Sequence, residues 1–161
     1  MRITATEEYG LRCLVLLAKR GPGVPLTLAD IGGDEGMSQP YAAKIMNLLR
    51  QAGLVDSVRG RNGGYILATT PDAIRLTEAF EALGEPLFGP SHCDRYGSPA
   101  SDQNCVHSED CSVRGVWAGM NHLINSLLSQ VTLEDVVRAS DGAGMSIVDL
   151  AKQQLAKAQM G

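Results

Sequence analysis

Apolar positions at helical spacing fill the first third of the chain, a short alternating stretch follows, and helical spacing returns in the last third. Leu11, Leu14, Val15 and Ala18 recur at i, i+3, i+4 and i+7, and Thr4 stands three residues before Glu7 as in a capping box. That pattern predicts a helix from about Ala5 to Arg20, ended by Gly21-Pro22-Gly23-Val24-Pro25. Thr27 and Asp30 open a short second helix, Leu28 to Ile31, which Gly32-Gly33 is expected to stop. Ser38 caps a third helix and tolerates Pro40 in its first turn. Tyr41, Ile45, Leu48 and Leu49 mark the inner face of that helix, and Gly53 marks its end.

Two β-type runs, Leu54 to Val58 and Tyr65 to Ala68, flank the turn Gly60-Arg61-Asn62-Gly63-Gly64 and read as a hairpin. A helix from about Leu76 to Leu83 follows. Regular order is expected to lapse between Gly84 and Asp110, where Gly, Pro, Asp and Ser dominate. After Cys111, a periodic series from Val113 through Trp117, Met120 and Ile124 to Val131 predicts one long helix. Its broad apolar face is the expected dimer seam, the alternative being packing on the chain's own core. Past Ser140 lies a weakly amphipathic tail. The expected fold is mainly α with a small β-hairpin: a winged helix-turn-helix plus a long dimerisation helix. The expected divisions are a DNA-binding domain over 1–83, a cysteine-rich loop over 84–111, a dimerisation helix region over 112–139 and a tail over 140–161.

Composition narrows the setting. A chain of 161 residues, 44% of them hydrophobic, can bury one core. No apolar run approaches the roughly 20 residues of a membrane span. The N-terminus runs directly into an acid-bearing amphipathic pattern, so no signal peptide and a cytoplasmic location are expected. There the four cysteines suit ligands or sensors better than disulfides. The net charge of −4 conceals an asymmetry. Between Ser38 and Ala68 the bases Lys44, Arg50, Arg59 and Arg61 face Asp56 alone, whereas Thr77 to Asp149 holds eleven acids and three bases. A basic module joined to an acidic remainder suits a DNA-binding protein; an uneven surface of no consequence is the plainer reading.

The order helix, short helix, turn, capped helix, hairpin is that of a winged helix-turn-helix, whose second helix enters the major groove N-terminus first. The residues placed there are Ser38, Gln39, Tyr41, Ala43 and Lys44. Gln39 suits paired hydrogen bonds to adenine, Ser38 a phosphate or base edge, and Lys44 the backbone as a point charge. Tyr41 fits either a DNA contact or the core, since it shares a stripe with Ile45. At the wing, Arg59 and Arg61 on a glycine-rich tip suit a narrow minor groove.

Cys93, Cys105 and Cys111 share the loop after this module. Thiolates select iron–sulfur clusters, zinc or monovalent copper. Structural zinc sites bring cysteines in close pairs, whereas these are spread, which favours wrapping an iron–sulfur cluster. A zinc- or thiol-redox switch stays open. Cys13 lies mid-helix on an apolar face and reads as a small buried hydrophobe. His92 and His107 lie near the thiols, but no catalytic signature surrounds them, so an enzyme is not expected.

Ser38 to Ala52, Gly53-Leu54-Val55, Val58-Arg59-Gly60 and Gly63-Gly64-Tyr65-Ile66-Leu67-Ala68, with Tyr9-Gly10-Leu11-Arg12 and the cysteine loop, closely resemble the IscR-type family of bacterial iron–sulfur regulators. The resemblance spans roughly Met1 to Val137. It implies a homodimer bound to double-stranded DNA at a partly palindromic operator, and a [4Fe-4S] or [2Fe-2S] cluster held by Cys93, Cys105 and Cys111. In the branch that names the family the position of Ala43 is acidic and helps discriminate operators, so that preference does not carry over. Relatives with a two-iron cluster use a histidine three residues after the last cysteine, where this chain has Arg114. Relatives that sense nitric oxide use a carboxylate near the N-terminus of the partner subunit, and Glu8 is the matching residue. Glu8 is therefore the expected fourth ligand, with His92, His107 and Asp110 of the loop as the alternatives, each otherwise an ordinary polar loop residue.

Overall fold

The computed structural model describes residues 3–60, 63–84, 110–144 and 146–158. Helix α1 (Ala5–Arg20) begins at Thr4, whose hydroxyl accepts the Glu7 N–H at 3.2 Å while Glu7 accepts the Thr4 N–H at 2.7 Å. This reciprocal box satisfies two backbone donors that the first turn otherwise leaves unpaired. The buried face is Gly10, Cys13, Leu14 and Leu17, so the expected stripe is turned: Leu11, Val15 and Ala18 are only half-buried. Gly10 explains the turn. A Cβ there would overlap the Leu83 side chain, so α1 presses its glycine directly onto the helix that carries Leu83.

Helix α2 (Leu28–Glu35) starts with the same box, Thr27 with Asp30. It does not stop at Gly32-Gly33 as expected but runs to Gly36, a left-handed cap at φ 66°. Gly32 serves a close approach instead, for a Cβ on it would stand 2.8 Å from the Met37 carbonyl oxygen. Helix α3 (Gln39–Gln51) follows after a three-residue turn and buries Ala42, Ile45, Met46 and Leu49; the expected Leu48 is half-buried.

Strands β1 (Val55–Val58) and β2 (Gly64–Leu67) pair antiparallel, with Val55 opposite Leu67 and Val58 opposite Gly64. Leu26 extends this hairpin by a bridge: its N–H donates to the Tyr65 carbonyl at 3.0 Å, and the Tyr65 N–H donates back at 2.8 Å. The remaining described helices are α4 (Leu76–Leu83), α5 (Arg114–Leu128), α6 (Leu133–Ser140) and α7 (Ile147–Ala158).

The core draws on α1, α2, α3 and α6. Leu14, Ile31, Ile45, Met46, Leu49 and Leu133 are fully buried, each contributing roughly 1.5–3 kcal/mol of burial. The single long helix expected through Val131 is two helices. The chain breaks after Leu128, Leu76 N–H donates to the Val131 carbonyl at 3.0 Å, and Leu133 N–H donates to the Ile74 carbonyl at 2.9 Å. A Thr132–Asp135 capping box then starts α6, which packs on α1. Val131, expected on the dimer seam, is 1% exposed inside the chain's own core. By contrast α5 buries no residue, and Val116, Trp117, Met120 and Leu123 stay 39–57% exposed. The architecture is mainly α with a two-stranded hairpin, as expected.

Candidate nucleic-acid interface and cysteine segment

In the α2–α3 pair, α3 packs on β1 of the hairpin and carries exposed residues along one flank. Ser38 is its extended N-cap (φ −69°, ψ 147°) and accepts the Tyr41 N–H at 3.4 Å. Ser38, Gln39 and Lys44 are exposed and Ala43 is half-buried, so these four stand along the accessible side. The inner side is locked by side chains of 0% exposure, which fixes α3 before any ligand arrives.

Tyr41 is placed differently from its neighbours. Its ring meets Tyr9 of α1 edge-on, and its hydroxyl lies 3.4 Å from Thr6 Oγ1. It is half-buried against the core, which makes it a packing residue between the two helices. Asn47, which the sequence pattern did not single out, and Arg50, named there only among the bases, are both exposed on α3: Arg50 donates from Nη2 to Asn47 Oδ1 at 3.2 Å. Their i, i+3 spacing was the available signal.

In the wing, Arg59 is exposed at the end of β1, while Arg61 lies outside the described residues. Gly60 takes φ 116° and its carbonyl accepts the Gly63 N–H at 3.0 Å. A Cβ on Gly64 would overlap the Leu26 carbonyl, so the bridge that anchors the wing to the body requires glycine there. The wing is thus tied at its base, with the exposed Arg59 where β1 ends.

Cys93, Cys105, His92 and His107 also lie outside the described residues. Cys111 is half-buried just ahead of α5, and its carbonyl accepts the Arg114 N–H at 3.1 Å. Cys13 is fully buried, and burial pushes its thiol up to about 12, with Glu35 adding to the effect. A thiol so reluctant to ionise is a poor metal ligand. Glu8 is exposed and grips Arg12 at 2.7 and 2.8 Å; this pair raises the Arg12 pKa, first through the hydrogen bond and then through charge. Arg12 in turn sits 5.7 Å over the Tyr9 ring. Gly84, where the cysteine segment leaves α4, lies against the same end of α1: a Cβ on it would stand 2.5 Å from Glu7 Oε1.

Known proteins share this arrangement. The Rrf2 family model, described as iron-dependent transcriptional regulator, matches residues 3–139. CymR of Bacillus subtilis is 30% identical over 142 residues, covering 88% of this chain and 94% of that protein. Its solved structure, titled the global cysteine regulator, superposes with a TM-score of 0.67 over 86% of this chain and 98% of the other. The regulator IscR of Xenorhabdus nematophila is 28% identical over 154 residues, 96% of this chain and 87% of that one. The solved T. potens IscR is 29% identical with a TM-score of 0.68, covering 91% of this chain and 93% of the other. Among the described residues no helix is long and apolar enough to cross a membrane. The chain therefore belongs to the Rrf2 family and is a winged-helix, DNA-binding transcriptional regulator rather than an enzyme.

Proposed function

We propose that this regulator is a homodimeric repressor whose grip on a partly palindromic operator is set by an iron–sulfur cluster on Cys93, Cys105 and Cys111, with Glu8 as the fourth donor. The observation that carries this reading is Cys111, half-buried directly ahead of α5, in a chain matched over residues 3–139 by the iron-dependent regulator family model. Glu8 stands exposed in the first turns of α1, directly before Tyr9, whose ring meets the tyrosine that braces α3. The donor set fits: three soft thiols, with Cys111 within reach of solvent, suit a cluster, and the carboxylate is a harder donor that leaves one iron the more labile position. When bound, the cluster supplies an oxidation-sensitive cross-link of variable charge between segments that are otherwise separate.

The chain's own residues then do the coupling. Glu8 has to leave Arg12 to reach a metal, which releases the guanidinium that sits over Tyr9. Tyr9 bears on Tyr41, in the first turn of α3. The exposed apolar side of α5 supplies the dimer seam, so a shift of the cysteine segment ahead of Arg114 alters the spacing of the two α3 helices. Linkage of cluster and DNA through such elements is worth about 1–3 kcal/mol.

Similarity to CymR, titled a cysteine regulator, favours a second reading in which the same thiols act as a redox switch without iron. Anaerobic purification separates the two. Brown protein with stoichiometric iron and sulfide is expected, and a Mössbauer spectrum assigns two or four irons. Colourless protein, with zinc or no metal, contradicts the cluster. If Glu8→Ala leaves the spectrum and the cluster lifetime unchanged, Glu8 is not a ligand.

A further inference from the structure

We propose that Asn47, positioned by Arg50, reads a base edge in the operator, most specifically the adenine of one A·T pair. The inference rests on α3 lying in the major groove. On a helical wheel the buried side of α3 is centred on Ala42, Ile45, Met46 and Leu49. Asn47 lies directly opposite, on the line that Pro40 begins and Ala43 and Lys44 flank. Pro40 and Ala43 offer no hydrogen-bonding side-chain atoms, and Lys44 is a compact point charge better suited to phosphate. Gln51 brings a second exposed amide to this line at the last residue of α3, but among the described residues only the Asn47 amide is held by a neighbouring side chain, so the paired donor and acceptor for a base edge are assigned to Asn47.

Two further observations point the same way. Asparagine inside a helix is less favourable than alanine by roughly half a kcal/mol, and here it caps nothing. Arg50 Nη2 donates to Asn47 Oδ1 at 3.2 Å. A guanidinium has donors only, so the amide must turn its oxygen toward Arg50 and its NH2 group away. Among the described residues both NH2 hydrogens lack a partner. The oxygen keeps a second lone pair. The amide is thus fixed with one acceptor site and two donors open, the set that pairs bidentately with adenine N6 and N7. Asn47 stands eight residues beyond Gln39, about 12 Å along the helix axis, so the two amides reach different base pairs.

The test uses the full chain, purified without air, and a duplex library randomised over thirty or so base pairs. The wild type is expected to select a motif in which replacing one A·T pair weakens binding roughly tenfold or more. Asn47→Ala, which favours helix and so keeps the fold by circular dichroism, should flatten discrimination at that pair to about twofold and leave the other positions sharp. Arg50→Ala should blur the same pair, and the double variant should do no more than Asn47→Ala alone. Lys44→Ala is the comparator and should weaken all duplexes alike with a shallower salt dependence. Asn47→Ala that keeps full discrimination everywhere, or that weakens every duplex equally, overturns the proposal. Arg50→Ala that changes only the salt dependence overturns the positioning role. A wild type that selects no motif overturns base reading by α3 as a whole.

Discussion

Tyr9 and Tyr41 meet edge to face, with ring centroids 5.9 Å apart and planes at 89°. This contact fastens the first turn of the reading helix to α1 and accounts for a tyrosine among otherwise exposed residues. Tyr41→Phe keeps the ring pair and loses only a long hydrogen bond to Thr6, so stability should fall by about 1 kcal/mol or less and DNA affinity should stay within twofold. Tyr41→Ala removes the ring and should cost roughly 2–4 kcal/mol in urea unfolding. A tenfold affinity loss in a fully folded Tyr41→Phe protein would put the hydroxyl on DNA instead.

The wing makes a different kind of contact. Arg59 is exposed at the end of β1, so Arg59→Ala should weaken every duplex to a similar degree and lower the slope of log affinity against log salt by about one. Gly64→Ala should act through the fold, because the added methyl meets the Leu26 carbonyl across the bridge. The expected loss is at least about 1 kcal/mol in thermal or urea unfolding. An unaltered melt for Gly64→Ala would mean that the wing base is not held as described.

The two described cysteines should separate cleanly by reactivity. Cys111 is half-buried and Cys13 is wholly buried with its thiol pushed up to about 12. In cluster-free native protein at pH 8, iodoacetamide should mark Cys111 and spare Cys13 by mass spectrometry. The same burial has a pH consequence. Because the folded pKa is raised, the native state holds a proton that the unfolded chain sheds, so this stabilisation is complete below about pH 8.5 and is lost as pH climbs toward 12. Urea midpoints should fall over that window in the wild type and fall less steeply in Cys13→Ala.

At the acid end Asp30 is informative. Its carboxylate is held below the usual range, first by the Thr27 hydroxyl and then by the Thr27 N–H. A depressed folded pKa stabilises above the unfolded value and is lost as pH falls through the folded one. The stability gap between wild type and Asp30→Asn, open at pH 6, should therefore close below about pH 4. A gap that persists unchanged to pH 2 would show that the Asp30 charge contributes nothing to the cap.

Signals carried by neighbouring residues were legible in the sequence, and signals carried across space were not. The boxes at Thr4–Glu7 and Thr27–Asp30, the Ser38 cap and the hairpin could all be read, since each depends on a few adjacent residues. Gly32 misled because a glycine demanded by the Met37 carbonyl looks the same, in sequence, as one that ends a helix. The split between α5 and α6 was written in Thr132 and Asp135, but the apolar series running on to Val131 masked it. Leu26 pairing with Tyr65 joins segments 39 residues apart and has no local trace. At the site, the charged and capping residues stood out by type and position. Asn47 did not, because an exposed amide becomes distinctive only once Arg50 is seen to orient it.

The central claim is that the thiols after the winged helix govern its hold on DNA. The most direct measurement compares operator affinity, under strictly anaerobic conditions, of the cluster-loaded protein, the same protein after chelation of its iron, and the variant with Cys93, Cys105 and Cys111 changed to serine. The loaded form should differ from the other two by about 5- to 150-fold, and those two should agree with each other. Equal affinity in all three, with all three folded and dimeric, would contradict it.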